Sequence, residues 1–159
     1  MSLKSWLSVL IFFALCWIKI PYELINLNKQ MALPIYTNTF FKIMAVIFFI
    51  IFLVVVASCK NIFKKIGKGT PVPFEPPKEF VVQGLYQYVR NPMYISYLFS
   101  YLGIYFWHGS LLLLAYVLLW FLLWHLEIIY LEEPILRKRF GQIYIDYTKQ
   151  VPRWWPAFP

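Results

Sequence analysis

Apolar residues along this chain gather into four blocks, Leu3 to Ile20, Phe40 to Ser58, Met93 to Trp107 and Leu111 to Tyr130, separated by stretches rich in charge, proline and glycine. Three of them approach the ~20 residues that a helix needs to cross a bilayer, and polar positions rarely interrupt them, so membrane helices are predicted. The third block is shorter: about fifteen residues make ~22 Å of helix against a ~30 Å hydrocarbon core. Either the chain entering it borders protein or a wet cavity at membrane depth, or the bilayer thins locally.

After the fourth block the pattern changes. Pro134 suits the first turn of a new helix. Leu136, Phe140, Ile143, Tyr144, Tyr147 and Val151 then share one face of a 3.6-residue period, with Arg137, Lys138, Gln142, Asp146, Lys149 and Gln150 away from it. This predicts an amphipathic helix over 134–151 that lies on the membrane or covers a cytosolic mouth, followed by Trp154 and Trp155 as interfacial anchors. The expected fold is an all-α integral membrane protein with about four transmembrane helices plus a C-terminal amphipathic cytosolic or interfacial helix. Residues 1–58 hold two N-terminal transmembrane helices. Residues 59–159 hold a cytosolic loop, a transmembrane hairpin and the amphipathic helix.

Composition agrees: 61% of the 159 residues are hydrophobic and 14% charged, too apolar for a soluble domain of this size. Lys4 followed by the first block has the outline of a cleaved signal peptide, but no small-x-small site follows, and the block reads as a retained span. The net charge of +8 raises the question of nucleic acid. The basic residues flank apolar blocks instead of forming a separate arm, which points to anionic membrane lipid and away from nucleic acid. Cys16 and Cys59 are too few for a disulfide framework and read as free thiols.

Charge also sets the orientation. Lys60, Lys64, Lys65, Lys68, Lys78 and Arg90 precede the third block, Arg137, Lys138, Arg139, Lys149 and Arg153 follow the fourth, and Lys4 precedes the first, which is twelve of the fifteen cations. The positive-inside rule places both termini and the 59–92 loop in the cytosol, with Pro21 to Thr39 and the His108-Gly109-Ser110 turn outside.

Two constellations fall on that cytosolic side. In the first, Gly84 to Tyr94, Pro92 can start a helix whose free N–H groups suit an anion, Arg90 adds a planar fork for a carboxylate, and Tyr86 and Tyr94 offer rings. An arginine anchor with interfacial tyrosines explains the same residues structurally. The second is the acid pair Glu132 and Glu133. It either compensates the helix start at Pro134, with Glu133 pairing to Arg137, or offers acceptors to ribose hydroxyls or an ammonium. Glu127 and His125 lie in the fourth block, where pairing with a neighbouring helix competes with a catalytic role. No ligand cluster for a metal exists, since His108 and His125 fall on opposite sides.

Gly69-Thr70-Pro71, Pro76-Pro77, Gly84-x-Tyr86-x-Tyr88-Val89-Arg90-Asn91-Pro92-Met93-Tyr94, Glu132-Glu133-Pro134-x-Leu136, Phe140-Gly141-x-x-Tyr144-x-x-Tyr147 and Val151-Pro152-Arg153-Trp154 together resemble the isoprenylcysteine carboxyl methyltransferase and phospholipid methyltransferase superfamily. The resemblance covers roughly residues 67–156. It implies a membrane methyltransferase core in 59–159 that binds S-adenosylmethionine on the cytosolic side and methylates a lipophilic or small acceptor. It also implies that Lys78, Glu79, Phe80, Val81, Tyr86, Asn91, Pro92, Met93, Tyr94 and Glu132 bind the cofactor; Glu133 joins that set as the other half of the acid pair, and Arg90, as the fork that orients a carboxylate, and Glu132 are the candidate catalytic residues.

The chain also departs from the pattern. Asn91 and Lys78 stand where the eukaryotic enzymes usually have His, so those side-chain contacts differ, and the position near Ile128 is where they place an acceptor-binding arginine, which opens the question of the acceptor. A NADPH-dependent membrane reductase of related architecture, or a lipid-binding or partner-binding membrane subunit without activity, are the competing classes.

Overall fold

The computed structural model describes residues 3–67 and 80–157, with side chains for 7–65 and 80–157. Helices α1 (Leu3–Ala14) and α2 (Ile20–Gln30) are joined by a π turn, Leu15–Lys19; α3 (Thr39–Ile62) runs into a second π turn, Phe63–Gly67. A 3-10 turn at Gly84–Gln87 precedes α4 (Pro92–His108). Helix α5 (Leu111–Glu127) passes through a third π turn, Ile128–Glu132, into α6 (Glu133–Phe140), and α7 (Gln142–Gln150) follows.

Among the described residues, three helical runs are long and apolar enough to cross a membrane: Leu7–Gln30, Thr39–Lys65 and Leu111–Phe140. Helix α4 is the short fourth, at 17 residues or about 25 Å. On α3 the exposed residues Ile43, Val46, Ile47, Ile50, Leu53 and Val54 recur at offsets of three and four, while Ala45 and Cys59 are fully buried. Helix α5 likewise exposes Leu111, Leu118, Leu119, Leu122, Leu123 and Leu126 and buries Leu113, Tyr116, Val117 and Trp124. Outward stripes this apolar belong against lipid, and the protein is an all-α integral membrane protein.

The chain divides into two compact units, one of Met1–Phe48 and Ser100–Leu119, the other of Phe49–Phe99 and Trp120–Pro159. In the first unit the helix does not stop at Pro21, where the sequence predicted an external segment. The Ile20 N–H bonds five residues back to the Leu15 carbonyl. In that wider register the Cys16 carbonyl would need the N–H of residue 21, and proline has none. The Tyr116 hydroxyl supplies it instead, at 3.0 Å. Trp17 donates to Ser100 Oγ at 2.8 Å and stacks on Tyr101 at 4.6 Å, fixing the turn from its other side.

At the far end of this unit, fully buried Asn28 donates to the Leu33 carbonyl and accepts the Leu112 N–H at 3.2 Å, capping the first turn of α5. Gly109 has φ +67°, and a Cβ there would collide with the Tyr36 backbone. Its carbonyl accepts the Tyr36 N–H at 2.9 Å. Only glycine satisfies both demands.

In the second unit the predicted amphipathic helix over 134–151 is two helices, broken at Gly141 with φ +58°. Tyr144, Tyr147 and Val151 are buried, with Leu136, Phe140, Phe80 and Val82 packed against them. Ile143, placed on the same face by the uninterrupted period, is instead 69% exposed, because the break at Gly141 resets the phase of α7. The apolar face thus covers the chain's own residues.

Candidate functional site

The motif that leads into α4 is positioned from both sides. Gly84 takes φ +60° at a point where a Cβ would collide with the Ile62 side chain, so the 3-10 turn sits hard against the end of α3. The Tyr86 ring meets Phe63 at 5.5 Å, its hydroxyl lies beside the Cys59 thiol, and its carbonyl accepts the Tyr147 hydroxyl at 2.7 Å. Burial pushes the Tyr86 and Tyr147 phenols above their ordinary range. Phe80 lies between Phe140, Tyr144 and Tyr147 at centroid distances of 5.1 to 5.7 Å, and Val81 is buried.

The centre of the site is a clamped carboxylate. Glu133 is 3% exposed, and a carboxylate so buried requires partners. Arg90 donates to Oε1 at 2.8 Å, Arg153 to Oε1 at 2.6 Å and to Oε2 at 3.1 Å, and Arg137 to Oε2 at 3.3 Å. Arg137 is half exposed and contributes least; Arg90 is nearly as buried as the acid it holds. The carboxylate on the Arg90 fork is therefore one of the chain's own. The Nε of Arg90 is buried with no hydrogen-bond partner among the described residues, and the Tyr144 phenol lies beside the same guanidinium.

Its neighbour faces a different group. Glu132 Oε1 accepts the Tyr94 hydroxyl, and Glu127 lies close enough for the two acids to interact through their charges. The Tyr94 ring meets Trp124 edge-on at 5.7 Å, and Trp124 also packs on Tyr97 and Trp120. Two acids against aromatic rings suit a cation, and the buried Arg90 Nε suits an anion.

Both constellations found in the sequence are thus brought together within the second unit. Arg90 meets Glu133, and Tyr94 meets Glu132. Asn91 donates to the Arg153 carbonyl at 3.2 Å, while Pro92 and Met93 are buried at the start of α4. Lys78 and Glu79 lie outside the described residues. His125 Nδ1 accepts the Trp154 indole N–H at 3.0 Å, which is the interhelical type of role open to it in the sequence, met here by the C-terminal segment. The sequence assigned Arg153 to topology and gave it no role in the site. Its signal was the Val151-Pro152-Arg153-Trp154 string, but a cation after a membrane helix is already accounted for by topology.

Residues 40–143 match the family model described as phospholipid methyltransferase. No curated protein and no solved structure matches the chain.

Proposed function

Because the chain belongs to the phospholipid methyltransferase family and is an integral membrane methyltransferase, we propose that it uses S-adenosylmethionine and methylates a lipophilic or small acceptor through a carboxylate, amine or thiol. The observation that carries this reading is the pairing of the 90–94 segment with the two adjacent acids. It leaves an acceptor, Glu132, and a buried donor, Arg90 Nε, in one unit, which fits a ligand bearing both an ammonium or ribose hydroxyls and a carboxylate.

In this proposal Glu132, steadied by Tyr94, accepts from ribose hydroxyls or the ammonium group, and Arg90, steadied by Glu133, meets a carboxylate of the cofactor or the acceptor. Glu133 acts by holding Arg90. Phe80, Val81, Tyr86, Asn91, Pro92 and Met93 form the packed backing, and Lys78 and Glu79 belong to the set on resemblance alone. S-adenosylmethionine, when bound, supplies a methyl group on a sulfonium that leaves as a neutral thioether. The protein's part is then orientation and exclusion of water, with no covalent enzyme intermediate. An amine or thiol acceptor loses a proton on methylation; a carboxylate acceptor does not. The charge pattern supports a cytosolic site with both termini on that side.

The test is calorimetric titration of the purified protein in lipid nanodiscs with S-adenosylmethionine and with NADPH. Binding of the first alone, lost in Glu132→Gln and Arg90→Ala, is the expected outcome. Unchanged affinity in both variants removes the site assignment, and binding of NADPH alone removes the methyl donor.

A further inference from the structure

Six residues after α7 make more connections to the site than their position beyond the family match would suggest. The Pro152 carbonyl accepts the Arg90 N–H at 2.9 Å, and the Ala157 N–H donates to the Tyr88 carbonyl at 2.9 Å. Between them the Arg153 carbonyl accepts from Asn91, the Arg153 guanidinium grips both oxygens of Glu133, and Trp154 donates to His125. Residues 88–91 are held by backbone bonds at Tyr88 and Arg90 and by the side-chain amide of Asn91, and the buried Glu133 carboxylate facing Arg90 is held by the same six-residue stretch.

Local requirements explain why the stretch sits there. Tyr88, Val89 and Arg90 lie between the 3-10 turn and α4; the Tyr88 and Val89 N–H groups bond back to the Leu85 carbonyl, which leaves the Arg90 N–H and the Tyr88 carbonyl to find partners from elsewhere. Val151 is buried in the cluster formed with Tyr144 and Tyr147, which delivers Pro152 to the motif. Pro152 cannot donate and does not continue the helix, but its carbonyl accepts. Arg153 follows with a fork of the right shape to take both carboxylate oxygens at once.

We propose that Pro152–Ala157 is a strap that completes the methyl-transfer site, with Arg153 as its positioning residue. Arg153 sets Glu133, Glu133 sets Arg90, and the strap's backbone fixes the register of 88–91. This rests on the cofactor reading above for its functional consequence, but the strap's hold on the motif is separately measurable.

The experiment compares wild type, Arg153→Gln, Arg153→Lys and the exposed control Lys138→Gln in nanodiscs, by S-adenosylmethionine titration and by hydrogen exchange of peptides covering 88–94. Arg153→Gln should weaken cofactor binding about tenfold and speed exchange at 88–94 while leaving α1 and α2 unchanged. Arg153→Lys, which retains a cation without the fork, should recover part of both, and Lys138→Gln should match wild type. A purely global destabilisation would raise exchange in α1 and α2 as well, and would overturn the proposal. Wild-type affinity in Arg153→Gln would also overturn it. If wild type itself fails to bind S-adenosylmethionine, the cofactor reading falls instead, and unchanged exchange at 88–94 in Arg153→Gln would then remove the strap too. Should Arg153→Gln not fold, the exchange and affinity of Arg153→Lys decide, with wild-type values in both counting against the strap.

Discussion

The two units solve the same local problem with different side chains. In each, a membrane helix widens into a π turn two residues before a proline: Leu15–Lys19 before Pro21, and Ile128–Glu132 before Pro134. In each, the N–H that follows the turn bonds five residues back, Ile20 to Leu15 and Glu133 to Ile128, so the proline removes the donor for the next carbonyl. In the first unit that carbonyl, on Cys16, is taken by Tyr116 within an aromatic packing of Trp17 and Tyr101. In the second the turn ends in two carboxylates. Consecutive residues on a helix diverge by about 100°, so Glu132 and Glu133 reach different groups, Tyr94 and Arg90, which are four positions apart on the facing segment. One geometry serves as a structural joint and the other as a bifurcated grip, and the residues at the turn decide which.

The largest effect should come from the grip. Replacing Glu133 with Ala leaves Arg90, nearly buried, without its carboxylate and frees Arg153 and Arg137. Breaking a buried pair from one side costs about 3–5 kcal/mol. Thermal unfolding in nanodiscs should show that loss together with abolished S-adenosylmethionine binding, whereas an unaffected midpoint would mean that Glu133 is not buried as described.

In the first unit, Gly109→Ala forces a side chain into φ +67° against the Tyr36 backbone, which should cost about 2–3 kcal/mol. Its signature should differ from that of Glu133→Ala. Cofactor affinity of the folded fraction should stay at the wild-type value, because no residue of the proposed site belongs to that unit. A matching fall in affinity would erase the functional contrast between the units.

Much of the contrast was legible in the sequence. The four apolar blocks, the short α4, the Glu133–Arg137 pair and the two constellations around Arg90 and Glu132 all follow from hydropathy, charge and a family string. The joint at Pro21 was not legible, because a proline after an apolar block is as good a stop signal as a widened turn, and only a hydroxyl 100 positions away makes the second course affordable. The break at Gly141 escaped because six apolar positions fit one uninterrupted period, and Ile143 fits it by spacing alone. Arg153 escaped for a related reason: its partner lies twenty residues back, and sequence offers no sign of which cation a buried acid selects.

Tyr116→Phe isolates the joint itself. It removes one hydroxyl, keeps the ring against Tyr101, and leaves the Cys16 carbonyl without a donor, for about 1–2 kcal/mol of stability. Hydrogen exchange should rise around residues 15–20 with cofactor affinity unchanged. Equal stability would show that the carbonyl finds another donor.

The smallest effect is the most discriminating, since it asks whether the π turn matters for where the acids point. Alanine at either proline returns the missing N–H and eases the wide turn toward the ordinary four-residue register without breaking the bonds on either side of it, a local change within about 1 kcal/mol for stability. At Pro21 the residues displaced belong to the first unit, which holds no residue of the proposed site, and Pro21→Ala should leave cofactor affinity as it is. At Pro134 the contraction turns Glu132 and Glu133 relative to Tyr94 and Arg90, whose positions are fixed independently by Gly84 and by the bonds to Pro152 and Ala157. Pro134→Ala should therefore weaken S-adenosylmethionine binding by a factor of about three to ten, on the order of the loss of one charge-assisted hydrogen bond. Equal titrations for the two alanine variants would mean that the wide turn does not aim the acids, and that Tyr94 and the arginines around Glu133 hold them in place.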